Sequence, residues 1–177
     1  YCLEMARAFI QPKYQSAEGG RKALFALDNL WDGIGGLVAQ DPSIRYLAGK
    51  VTIYSSSPDM SRKAMVYYLD MCFGDREGLL VSKRPETCTP EESAFFREMF
   101  NGADYKENYQ ILNNYVKSFG DTIPPLIHSY IGLSPTMKTF GTTFDPDFGD
   151  CYDTAMMITI SDIYREKYER YIDSALQ

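Results

Sequence analysis

The stretch YQSAEGGRKALFALDNLWDGIGG, Tyr14 to Gly36, decides how the whole chain is read. Leu24, Leu27, Trp31 and Ile34, with Val38 just beyond, recur at steps of three and four. That is the apolar stripe of an amphipathic helix, ending near the Asp41-Pro42 break. Ahead of it stand Gly19 and Gly20, then Arg21 and Lys22. Free backbone N–H groups at a helix start form a generic anion site, and glycine lets a ligand come close to the backbone. Cations there oppose the helix dipole, a conflict that a bound phosphate would remove. The competing reading is a Gly-rich turn with solvated cations. The flanking segments have to decide between the two.

Upstream, YCLEMARAFI (Tyr1 to Ile10) reads as a strand leading into the Pro-containing loop QPKYQSAEGG. Downstream, RYLAGKVTIY (Arg45 to Tyr54) is a second strand, with β-branched Val51, Thr52 and Ile53. Ser57-Pro58-Asp59 opens a helix over MSRKAMVYYLDMCF, with the Ser57 hydroxyl at the cap. Thr89-Pro90-Glu91-Glu92 opens another, which stops at Asn101-Gly102 on a left-handed glycine. YKENYQILNNYVKSF is a further helix, and Pro124-Pro125 starts a short one through Leu133. TMKTFGTTF and CYDTAMMITI are strand-like and joined by DPDFGD, which predicts an antiparallel hairpin. The order is β-α-β-α, then helices, then β-β. It predicts a single α/β domain over residues 1–177, with a mixed sheet and flanking helices.

Composition narrows the function classes. The chain is 45% hydrophobic and 24% charged, as a folded domain is, and its 14% aromatic content suits a large core. A formal charge of −6 without clustered cations argues against nucleic acid. A local basic patch for an anionic membrane face is not evident either. Cys2, Cys72, Cys88 and Cys151 are widely spaced and His128 is the single histidine, so no metal-ligand spacing is present. Unpaired thiols in a reducing compartment are expected. Neither a signal-peptide pattern nor an apolar run of membrane-spanning length occurs. The chain opens at Tyr1, directly in an apolar segment, which raises the expectation that a preceding portion exists.

The first strand carries Glu4 and Arg7, an E-x-x-R pair. These positions point to opposite faces of a regular strand, unless a β-bulge near Met5 or Ala6 re-aims one of them. Read as chemistry, the pair is a proton-accepting carboxylate held by a guanidinium; read as scaffold, it is a surface ion pair.

Taken together, LEMARAFI, LFALDNLWDGIG, YLAGKVTIY, DYKENYQILNNYVKSFGDTIPPLIHSYIGLSPTMKTFGT and DPDFGD resemble the bacterial hemolysin-like N-acyltransferases. These enzymes acylate ornithine or glycine in amino-acid lipid synthesis. The resemblance covers essentially the whole chain. It implies the C-terminal portion of a GNAT-like acyltransferase fold, without its N-terminal strands, ending in the antiparallel hairpin. It also implies transfer of a fatty acyl group to an amino-acid amine, from coenzyme A or from the phosphopantetheine of an acyl carrier protein, with no cofactor bound covalently. By the same resemblance Glu4 is the base and Arg7 its partner, while Tyr67 protonates the departing thiolate. Gln15, Gly19, Gly20, Arg21 and Lys22 fall at the phosphopantetheine loop, although QSAEGG is one residue out of step with Q/R-x-x-G-x-G/A. The expected partners are acyl carrier protein and the amino-acid acceptor. The expected setting is cytoplasmic, with transient contact at the inner membrane face and homodimerisation both left open. Two rivals stand beside this reading: a catalytically silent GNAT-like module that binds an acyl carrier, and an acyl-homoserine lactone synthase.

Overall fold

Two parallel neighbouring strands cannot be joined by a short turn and need a crossover connection, usually a helix. The computed structural model describes residues 1–6 and 26–176, and its first half has this form. Strand β1 (Cys2–Met5) lies parallel to β2 (Tyr46–Ile53), with α1 (Ala26–Gln40) between them in sequence. After β2 come α2 (Asp59–Phe73), α3 (Pro90–Met99), α4 (Tyr105–Ser118) and α5 (Pro125–Ile131). The hairpin of β3 (Lys138–Asp145) and β4 (Cys151–Thr159) follows, then α6 (Arg165–Tyr171). The hairpin inserts its second strand against β2, so the four-stranded sheet has the order β1-β2-β4-β3. One strand pair is parallel and two are antiparallel, which makes the expected mixed sheet.

Alternation along β2 divides the sheet into two unlike faces. Leu47, Val51 and Ile53 are buried, and their register partners Ile158, Thr154 and Tyr152 lie on the same face. The helices pack here: the Thr139 hydroxyl donates to the Leu69 carbonyl of α2, and Tyr130 of α5 lies edge-on to Trp31 of α1. Leu3 and Met5 of β1 join this core. The opposite face carries Glu4 and Ala48, which are level with each other, and then Lys50, Thr52 and Asp153. Asp153 is buried there and accepts from both Lys50 Nζ and Thr52 Oγ1.

Local signals explain most of the helix ends. The Thr89 hydroxyl accepts from the Glu92 N–H while the Glu92 carboxylate accepts from the Thr89 N–H, a complete capping box. Asp104 caps α4 by accepting from the N–H groups of Lys106 and Glu107.

Three expectations are corrected. Pro58, not Ser57, is the cap residue of α2, with no side-chain cap hydrogen bond. Helix α3 closes at Phe100, ahead of Gly102, which does not take a left-handed φ. Gly102 is there for space instead: its N–H donates to Asn108 Oδ1 at 3.0 Å, and a Cβ would press on Glu107. The β1–β2 register runs unbroken to Met5, and Arg7, which a bulge near Met5 or Ala6 would re-aim, lies outside the described residues. The sheet irregularity lies in β3, between Thr139 and Thr142, where Gly141 takes a φ of 80°. Finally, α6 follows the hairpin, where the sequence reading placed no element.

Candidate active site

The carboxyl end of the parallel pair is where an open α/β sheet offers a ligand crevice, since neighbouring strand ends part there. Among the described residues, the β1–β2 ladder stops at Met5–Gly49, whereas β2 continues to Ile53. Gly49 is a glycine for a visible reason. A Cβ at this position would collide with Tyr130 Oη and touch Met5. The Tyr130 ring is only 2% exposed, wedged between the strand and Trp31, and its hydroxyl has no hydrogen-bond partner among the described residues. Burial pushes this phenol up to about 12, so it holds its proton at neutral pH. The last described β1–β2 pair therefore combines a side-chain-free strand position with the hydroxyl of a largely buried tyrosine.

Glu4 lies one residue before that end, on the face away from the helices. It is exposed and makes no hydrogen bond or ion pair with any described residue. Tyr67 is elsewhere. Its ring is parallel to Phe100 at 6.0 Å and tilted on Phe96 at 5.4 Å, which places it between α2 and α3 in the helical layer. Glu4 is thus on the opposite side of the sheet from Tyr67, and from Tyr130 as well. Arg7, Gln15, Gly19, Gly20, Arg21 and Lys22 lie outside the described residues. Tyr130 was missed because Ile127, Tyr130 and Ile131 read as an ordinary apolar helix face. Only the register bringing Gly49 under its hydroxyl singles it out.

The four cysteines are free, and burial raises the thiols of Cys72 and Cys88 to about 11. Among the described residues no cluster of His, Cys, Asp and Glu suits a metal, and no helix is long and apolar enough to cross a membrane.

The architecture is α/β and compatible with a GNAT-like acyltransferase fold. The chain is similar to two curated proteins, each named glycine N(alpha)-acyltransferase. It is 39% identical over 174 residues to the one from Phocaeicola vulgatus, covering 98% of this chain and 53% of that protein. It is 40% identical over 178 residues to the one from Bacteroides thetaiotaomicron, covering 99% of this chain and 52% of that protein. The resemblance to the bacterial N-acyltransferases thus holds along nearly the whole chain, which spans about half the length of these curated relatives. No family model and no solved structure matches the chain.

Proposed function

We propose that the protein is an N-acyltransferase that moves a fatty acyl group from a phosphopantetheine thioester to the amine of glycine. The observation that carries this reading is the identity of about 40% to two glycine N(alpha)-acyltransferases, sustained over nearly every residue of the chain. The donor is acyl carrier protein or acyl coenzyme A, with its phosphate at the Gly19-Gly20-Arg21-Lys22 loop. Its thioester lies at the carboxyl end of the β1–β2 pair, where strand N–H groups can polarise the carbonyl. Glu4 takes a proton from the glycine ammonium, directly or through water. The amine nitrogen then bonds to the thioester carbon; as the tetrahedral adduct collapses the carbon–sulfur bond breaks, and the second proton of the nitrogen passes through water to the tyrosine that protonates the thiolate. The leaving thiolate takes up a proton. The position of Tyr130 Oη beside Gly49 favours Tyr130 over Tyr67 as its donor.

The test is thiol release by the full-length protein, with acyl coenzyme A and acyl carrier protein as alternative donors and glycine or ornithine as acceptor. Glycine-dependent release is expected, and Glu4→Gln should slow it by about 10²- to 10⁴-fold while leaving thermal unfolding unchanged. Absence of release from either donor would sink the reading. A wild-type rate in the variant would remove Glu4 from it.

A further inference from the structure

After α2 the chain leaves the helical layer in the loop Asp75–Arg84, which presents Leu79, Leu80 and Val81 in succession to solvent. They are 55%, 59% and 85% exposed, three consecutive aliphatic side chains outside the core. The exposure is built rather than incidental. At one end the Asp75 N–H donates to the Thr139 carbonyl of β3 at 2.8 Å. At the other, the Arg84 carbonyl accepts from the Phe144 N–H at 3.1 Å, and the Glu86 N–H donates to the Thr142 carbonyl at 2.9 Å. Both ends are thereby clamped to the edge strand. Within the loop, the Asp75 carboxylate accepts from the N–H groups of Glu77 and Leu79, and Gly78 takes the left-handed turn at a φ of 68°. Burial works against the Asp75 charge, yet these N–H groups hold its carboxyl below the usual range.

Charge distinguishes the occupants this tip fits. Glu77 is paired with Lys138, Arg76 lies 3.9 Å from Asp70, and Glu86 is turned away onto Arg62. Lys83 and Arg84 have no ion-pair partner among the described residues. So a chain of net charge −6 places two cations without an ion-pair partner among the described residues directly beside an exposed apolar triplet.

We propose that the Leu79-Leu80-Val81 tip, flanked by Lys83 and Arg84, inserts into an anionic lipid surface. The aliphatic side chains enter the boundary between headgroups and acyl chains, and the two cations meet lipid phosphates. The inference stands on the loop alone and is independent of the acyltransferase reading. It is therefore tested by binding, not by turnover.

The experiment is flotation of the full-length protein with phosphatidylcholine vesicles, alone or mixed with phosphatidylglycerol. Binding is expected to the mixed vesicles and to weaken as salt is added. Replacing Leu79, Leu80 and Val81 together by serine should lower the partition constant by about tenfold or more. Lys83→Gln with Arg84→Gln should lower it by about fivefold per cation removed and abolish the preference for phosphatidylglycerol. Sedimentation and the thermal midpoint are measured on the same variants. Absence of vesicle binding by the wild type, or equal binding by both variants, overturns the proposal. So does a triple-serine variant that dissociates a dimer or unfolds at lower temperature, since a second copy or another part of the protein would then cover the tip.

Discussion

Gly49 and Tyr130 make one device from two residues. The glycine weakens β2 as a strand, because it has no side chain to pack. Its benefit is that a buried tyrosine can lie directly on the backbone at the last described pair of the parallel ladder. Gly49→Ala should therefore destabilise the fold by about 1–3 kcal/mol, because Trp31 and the strand leave the ring no room to swing aside. Tyr130→Phe removes the atom that collides with the new methyl. The double variant is thus expected to recover most of the loss, and urea unfolding of both singles and the double measures the coupling. Additive losses would show that the Tyr130 hydroxyl is not what excludes a side chain at position 49. The same contact explains why the residue was illegible in sequence: Tyr130 has the spacing of a core residue and is one. Its distinguishing feature is a neighbour 81 positions away in the chain, brought near by strand register. Glu4, by contrast, could be singled out as a candidate because E-x-x-R in an opening strand is a local pattern.

At the scale of elements, what could be read in advance was what is encoded locally. Thr89-Pro90-Glu91-Glu92 contains both halves of a capping box within four residues, and α3 begins there. Thr89→Ala should cost about 1 kcal/mol in thermal or urea unfolding, through the lost hydroxyl acceptor for the Glu92 N–H. A loss near zero would mean that the Glu92 carboxylate alone holds the turn, since it also takes Lys63 Nζ at 2.7 Å. Elements whose ends depend on distant partners escaped the reading. Helix α6 has only seven residues and the apolar pattern of a frayed tail. It is fixed by α1, whose Gly35 lets the Tyr171 backbone come into contact, while the Tyr171 hydroxyl donates to Asp28 Oδ1 at 3.1 Å. Ser57 misled for a related reason. Three good cap signals stood in a row, but the backbone entering α2 put Pro58 at the cap, and Arg62 was drawn onto Asp59, Glu86 and the Tyr152 ring.

The core of the whole molecule buries Tyr68, Tyr130 and Tyr171, and buried acids of this kind dictate how it fails in base. Burial raises the thiols of Cys72 and Cys88 to about 11 and the phenol of Tyr130 to about 12, and it moves Tyr68 further in the same direction. Their ordinary values are 9.0 for a thiol and 10.0 for a phenol. Each is an acid whose folded pKa lies above its unfolded one, so over the interval between the two the unfolded chain has lost a proton that the folded chain keeps. Stability from these groups is fully present below about pH 9 and drains away as pH rises towards 12. At about 1.4 kcal/mol per pKa unit, Tyr130 alone accounts for on the order of 2–3 kcal/mol by the top of that window. Lys50 and Lys63, raised by hydrogen bonds to Asp153 and Glu92, act with the same sign. Tyr130→Phe isolates the phenol from all of these: it should flatten the fall in unfolding free energy between pH 10 and 12 without changing the slope below pH 9. Urea unfolding of both proteins across pH 7 to 12 decides the matter. A wild-type stability that stays level past pH 11 would contradict the buried-acid account of this core.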